Sequence, residues 1–235
     1  MSFVVPKSGG TVLTADDGLE REVSPRSRPT QSGQLIDLVR WLDLCFATLL
    51  LIFVAPLMGL VALVIKLSDG GPVFFRQVRI GEGGREFRCW KFRSMVVDAQ
   101  SKLEVYLASH PEAHAEWEAD HKLRRDPRIT SFGRFLRSSS IDELPQLLNV
   151  IRGDMSLVGP RPIVHAEIKK YGRYFEHYCS VRPGITGLWQ VMGRNHVSYR
   201  RRVAIDVTFT RVRSLQTYIR ILIMTVPAVL GRSGV

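Results

Sequence analysis

The sequence predicts an α+β chain: a single helix-rich domain with a small β-hairpin, anchored by an N-terminal re-entrant helix broken at a proline and by an amphipathic helix lying at an interface. Three observations carry this. The run LCFATLLLIFVAPLMGLVALVI, Leu44 to Ile65, holds 22 residues without a charge. Between Val73 and Met95, two partly alternating runs flank Glu82-Gly83-Gly84, a hairpin signature. Elsewhere helical stretches are punctuated by proline and glycine, with no internal repeat or low-complexity tract.

Residues 1–34 scatter glycine, serine, proline and charge without an apolar run of signal-peptide length, and read as a disordered tail. Residues 35–68 form the membrane element. As one straight helix, the uncharged run would reach ~33 Å, enough to cross a bilayer. Pro56 stands near its middle. A proline there removes a backbone hydrogen bond and clashes with the preceding turn, leaving two halves of ~15–18 Å, each one leaflet deep. Both flanks are basic, with Arg21, Arg26, Arg28 and Arg40 ahead and Lys66, Arg76, Arg79 and Arg85 behind. A spanning helix normally has asymmetric flanks, so re-entry from the cytoplasmic face is preferred to a true span. A buried core helix is the third reading, disfavoured by the length of the run.

Residues 69–213 read as the soluble domain. After the hairpin, residues 96–124 look polar and helical with an interruption near Pro111, and another helix follows Asp142. A strand is predicted within Met155–Val158 and helix over Ile163–Cys179, while glycine-punctuated Val181–Asn195 reads mostly as loop. In residues 214–235, Leu215, Tyr218, Ile219, Leu222 and Ile223 recur at helical spacing around Arg220. That is the pattern of an interfacial amphipathic helix, and a core helix makes it too.

A net charge of +11 implies an acidic partner: nucleic acid, anionic lipid or a phosphorylated substrate. Nucleic acid is set aside, because the chain has no RNP aromatics, zinc-finger spacing or helix-turn-helix, and a long uncharged run has no use there. Cys45, Cys89 and Cys179 are odd in number and far apart, which speaks against a disulfide framework and for a reducing compartment. His110, His114 and His121 suggest zinc by spacing, but Pro111 and the polar surroundings favour a solvated insert.

The chemistry concentrates in SIDELPQLLNVIRGDMSLVGPRP, Ser140 to Pro162. Ser140 and Glu143 have capping-box spacing, and Pro145 suits a helix start, so Asp142 and Glu143 sit at or just ahead of a helix N-terminus. Such a position favours ionised carboxylates and attracts phosphate. The pair alone could do no more than cap a solvated helix. Arg137 precedes it, however, and Arg161 follows between Pro160 and Pro162, presented at low entropic cost. A guanidinium fork suits two phosphate oxygens. Carboxylates beside arginines are what a site for Mg²⁺ and a diphosphate requires. In KFRSM, Lys91 and Arg93 share one strand face, either against lipid or nucleotide phosphates or as a solvated basic face. Trp189 could stack on uracil or a sugar, or belong to the core. Arg194 and Asn195, after Gly193, form a candidate nucleotide loop.

KFRSM, SIDELPQLLNVIRGDMSLVGPRP and RPGITGLWQVMGRN, in this order after a proline-broken apolar block, resemble the bacterial sugar transferases. These are monotopic polyprenyl-phosphate phosphoglycosyl transferases, and the resemblance covers about residues 35–230, closest to short members serving exopolysaccharide synthesis. It implies that Asp142 attacks the sugar-bearing phosphorus of UDP-galactose or UDP-glucose and expels UMP. Glu143 would be its dyad partner for Mg²⁺ or the acceptor, with Arg137 and Arg161 on phosphate. Undecaprenyl phosphate would then take the phosphosugar in a ping-pong cycle at the cytoplasmic face of the inner membrane. Pro56 matches the helix-breaking proline of the family, although Ala55 stands where serine is common. A sugar transferase releasing UDP would often hold its metal with D-x-D, which this chain lacks. A non-catalytic scaffold would not need Asp142, Glu143, Arg137 and Arg161 together.

Overall fold

The computed structural model describes residues 31–120, 123, 125–192 and 197–230. The tail expected over 1–34 lies outside these except for its last four residues, which are helical. His121, Arg194 and Asn195 also lie outside them.

Helix α1 (Gln31–Asp69) runs for 39 residues with Pro56 inside it. The expected division into two helices does not occur. A proline withholds one N–H, but the apolar residues on either side have only their own backbone to bond, so the helix resumes at once. Asp43, Ala47, Leu51, Val54, Met58, Val61 and Ile65 recur every three or four residues and form the stripe packed on the rest of the chain. The opposite face is bare and apolar, with Ile52, Phe53, Leu60 and Leu67 all exposed.

Polar bonds fasten the first half of α1. The buried Asp43 carboxylate (Oδ1) accepts from the Leu157 N–H at 2.8 Å, the Ser156 hydroxyl at 3.1 Å and the Tyr218 hydroxyl at 2.8 Å. Arg40 donates to the carbonyls of Val150 (2.6 Å) and Ile151 (2.9 Å), at the end of α5 (Gln146–Arg152). The Val150 carbonyl also accepts from the Gly153 N–H at 3.1 Å, and the guanidinium adds a side-chain cap to this helix end.

Strands β1 (Phe74–Ile80) and β2 (Glu86–Phe92) form the predicted antiparallel hairpin, in register from Phe74↔Phe92 to Ile80↔Glu86. Gly83 (φ 67°) and Gly84 (φ 74°) supply the left-handed turn residues. Period-two alternation puts Phe75, Gln77 and Arg79 on one face, opposite Lys91, Cys89 and Phe87. Helices α2 (Ala99–Ser109) and α3 (Pro111–Asp120) follow, divided at Pro111 as expected. His110 stacks on Tyr106 and His114 faces Glu118 at 3.7 Å. Helix α4 (Ser131–Ser138), capped by Thr130, leads through a 3-10 turn at Ile141–Glu143 into α5.

Beyond α5 come β3 (Ser156–Val158), α6 (His165–Tyr171), α7 (Phe175–Cys179), β4 (Gly184–Thr186), α8 (Leu188–Met192), α9 (Tyr199–Arg211) and α10 (Leu215–Leu230). The stretch expected to be mostly loop thus holds a strand, β4, paired in parallel with β3, and a short helix. Glycine makes the pairing possible: a Cβ on Gly184 would lie 2.0 Å from the Gly159 nitrogen. A residue that normally weakens strands is here the one that lets two backbones meet. Helix α10 buries Tyr218 and Ile221 beside Ala47, Leu147, Val150, Met155 and Leu157, so one of its faces belongs to the core.

Candidate active site

The acidic pair stands on the 3-10 turn between α4 and α5. Ser140 enters it with φ 58°, the left-handed region, and is alone among the described non-glycine residues in doing so. That conformation costs on the order of 1 kcal/mol for a residue with a Cβ. The expected capping box is absent: the Ser140 side chain makes no cap bond, and Glu143 reaches elsewhere. With about three residues per turn, adjacent side chains point roughly 120° apart. Asp142 and Glu143 therefore meet different surroundings.

Glu143 Oε1 accepts from Lys91 Nζ at 2.6 Å and from Arg161 Nη2 at 3.1 Å. Burial works against its charge, but Arg161 and Lys91 prevail and hold its carboxyl down to about 2. Asp142 is also buried, yet no hydrogen bond to its carboxylate forms among the described residues. Burial pushes it up to about 6; Lys91, Arg137 and Arg161 pull it down, while Glu143 adds to the rise. One carboxylate is locked as a permanent anion between two cations. Its neighbour is ionised at neutral pH and unencumbered.

The remaining groups are set by the elements around the turn. Arg137, in the last turn of α4, donates from Nε to the Ser94 hydroxyl at 2.8 Å. Arg79 on β1 donates to the Pro162 carbonyl at 2.8 Å and to Gln77 Oε1 at 2.6 Å, which ties the hairpin to the loop carrying Arg161. Asn149 on α5 accepts from the Trp90 N–H (3.0 Å) and donates to the Arg88 carbonyl (2.8 Å), locking β2 to α5. That bond pair holds Lys91 at a constant distance from the acidic turn. A cleft opens here, lined by Arg79, Cys89, Lys91, Glu143, Gln146 and Arg161.

Lys91, Arg137, Asp142, Glu143 and Arg161 are thus brought together from four separate stretches. Arg93 is not among them; it pairs with Asp69 and fastens the end of α1 to the hairpin. Trp189 is buried, and the Arg202 guanidinium covers its ring at 4.5 Å from the centroid. Sequence reasoning missed Arg79, Gln146, Ser94 and Asn149. Only Arg79 left a signal, since it alternates with Gln77 on the hairpin face that also carries Lys91.

Among the described residues no three metal-ligating side chains converge. Mg²⁺ does not need such a cage, because one or two carboxylates with substrate phosphates suffice. The Glu143 oxygen that neither Lys91 nor Arg161 takes, and the Asp142 carboxylate, buried but without a hydrogen bond among the described residues, fit that mode.

Residues 35–232 match the family model for bacterial sugar transferases. The chain belongs to this family. Over 198 residues this sugar transferase is 48% identical to an undecaprenyl-phosphate galactose phosphotransferase of Salmonella typhimurium, covering 84% of this chain and 41% of that protein. Over 190 residues it is 47% identical to exopolysaccharide production protein ExoY of Sinorhizobium fredii, covering 81% and 84% of the two chains. A UDP-glucose:undecaprenyl-phosphate glucose-1-phosphate transferase of Escherichia coli is 39% identical over 192 residues, covering 78% and 38%. The sugar transferase described here therefore spans about two fifths of the length of the phosphotransferases and most of the ExoY protein.

Proposed function

We propose that this sugar transferase moves galactose 1-phosphate or glucose 1-phosphate from its UDP derivative to undecaprenyl phosphate, initiating exopolysaccharide, capsule or O-antigen synthesis. An Asp142 oxygen bonds to the sugar-bearing phosphorus while the bond from that phosphorus to UMP breaks, and UMP leaves with the electron pair. A phosphate oxygen of undecaprenyl phosphate then bonds to the same phosphorus and the Asp142 carboxylate departs, free again. The carrying observation is the divided environment of the dyad, with Glu143 clamped by two cations and Asp142 left open. A carboxylate is weakly nucleophilic, so one released from hydrogen bonds and solvent suits the attack. Lys91, Arg137 and Arg161 offset the charge that builds on the diphosphate. Glu143 and Asp142, together with the substrate phosphates, would hold Mg²⁺, which would further neutralise the leaving group.

Purified protein in detergent, given UDP-galactose or UDP-glucose with undecaprenyl phosphate, is expected to release UMP and to stop when EDTA is added. Release of UDP would instead place the enzyme among transferases that pass sugar without phosphate. The acid side of the pH profile follows from Asp142. Its carboxyl is raised to about 6, and only the ionised form attacks. The value of kcat/KM should hold above that pH and fall towards tenfold per unit below it; a profile still flat at pH 5 would exclude Asp142 as the essential base form.

The membrane arrangement proposed is re-entrant, with α1 undivided but bent at Pro56 so that both of its ends lie on the cytoplasmic face of the inner membrane, and with α10 alongside at the interface. It is supported by contacts on both sides of Pro56. Ahead of it, Asp43 and Ala47 join the central core, and behind it Val61 and Ile65 pack on Phe92 and Leu136 of the same domain. The outward apolar face of α1 is left for lipid. In a cysteine-free background, Asp37→Cys and Ser68→Cys should both react with a membrane-impermeant maleimide only from the cytoplasmic side. Labelling of the two from opposite sides would establish a span.

A further inference from the structure

We infer that Phe75, beside Lys91, forms the subsite for the first isoprenyl units of the lipid-phosphate acceptor. This rests on the function proposed above and adds to it the place where the second substrate lies. Phe75 is 50% exposed in a strand whose neighbouring aromatic, Phe74, is stacked on Phe92 at 5.4 Å and edge-on to Trp90 at 5.7 Å. Phe75 has no such ring partner among the described residues and joins none of the core clusters. Its cross-strand partner is Lys91. Directly opposed residues of an antiparallel pair hold their Cβ atoms ~5 Å apart on one face, so the ring and the lysine stem are neighbours. Lys91 in turn reaches Glu143 at 2.6 Å, next to the nucleophile.

The direction of approach decides which substrate meets the ring. Phe75 lies near the end of the hairpin that is joined to α1: Val73 packs against the cluster of Val61, Ile65, Phe92 and Leu136, and Arg93 pairs with Asp69 at the helix end. The last turns of α1 expose Leu63, Val64 and Leu67. Starting from the strand that follows the exposed aliphatic end of α1, the order towards the dyad is phenyl ring on β1, ammonium on β2 and carboxylates on the turn. A lipid phosphate has the same order along its length, with a hydrocarbon tail followed by an anionic head. A sugar nucleotide, polar throughout and arriving from water, does not. Phe75 would cover the hydrocarbon next to the phosphate while Lys91 meets the phosphate itself.

The test is steady-state kinetics of Phe75→Ala in detergent, with donor and acceptor varied separately. The acceptor KM should rise roughly tenfold, the scale of half-burying a phenyl group, while the donor KM stays put. Phe75→Leu should recover most of the loss. Farnesyl phosphate, with three isoprenyl units, should show the same fold-change as undecaprenyl phosphate, because only the first units touch the ring. An unchanged acceptor KM overturns the subsite. A rise in donor KM instead assigns the ring to the nucleobase, and a loss confined to the long acceptor makes Phe75 a membrane anchor; either also overturns it. Rapid mixing of wild type with donor alone separately reads a UMP burst. Its absence would sink the aspartyl intermediate without touching the acceptor KM, so the two failures remain distinct.

Discussion

Asp142→Asn is expected to lower turnover by at least ~10³-fold, because an amide oxygen cannot displace UMP from phosphorus. The variant should also take up no label from a UDP-sugar radiolabelled in the sugar, whereas wild type incubated with donor alone should carry a hexose phosphate on Asp142. Folding gives an independent check that the loss is chemical. The Asp142 carboxyl is raised to about 6 in the fold from an ordinary value near 3.8, with burial the leading cause. A raised carboxyl means the fold disfavours the charged form: stability declines as pH climbs from about 4 to about 6, and the cost is present in full above that. Asparagine removes that buried charge, and among the described residues no hydrogen bond to the Asp142 carboxylate is lost. At pH 7.5 the melting temperature of the variant should therefore equal or exceed that of wild type. Near-normal turnover in Asp142→Asn, with the phosphosugar found on another side chain, would remove Asp142 from the mechanism. Inactivity accompanied by a lowered melting temperature would mean that the carboxylate supports the fold instead.

Asp43→Ala should produce the largest loss of stability. Asp43 is 1% exposed and its Oδ1 takes three donors, the Leu157 N–H and the hydroxyls of Ser156 and Tyr218. Alanine leaves all three buried and unanswered, and breaks the junction of α1 with β3 and α10. Orphaning buried donors of this kind costs about 3 kcal/mol in total, which for a domain of this size lowers the melting temperature by about 6–12 °C. Asp43→Asn keeps an acceptor oxygen and should lose less than half as much. Thermal unfolding in detergent measures both, and a shift within 2 °C for the alanine variant would show that the junction contributes little.

Much of the architecture was legible along the chain because it rests on local rules. The hairpin follows from alternation around Glu82-Gly83-Gly84, the α2–α3 division from Pro111, and the apolar helix from its uncharged run. The errors share a cause. Pro56 reads as a break when its own turn is considered alone, and α1 continues because a long apolar partner surface and its own ladder outweigh one missing bond. Gly184 and Gly187 read as loop, and β4 exists because Gly159, 25 residues earlier, offers a backbone with no side chain in the way.

The site divides along the same line. Sequence alone determined which residues could act: the Asp142–Glu143 pair, Arg137, Arg161 stiffened between prolines, and Lys91, since these identities and spacings are covalent facts. Only the folded chain decided how they act. It gave Glu143 to Lys91 and Arg161, left Asp142 open, sent Arg93 to Asp69, covered Trp189 with Arg202, and brought in Arg79 and Asn149 to hold the parts in place. The physical reason is that ionisation and hydrogen bonding depend on which groups are near in space and how much water is excluded, and neither is a property of neighbours along a chain.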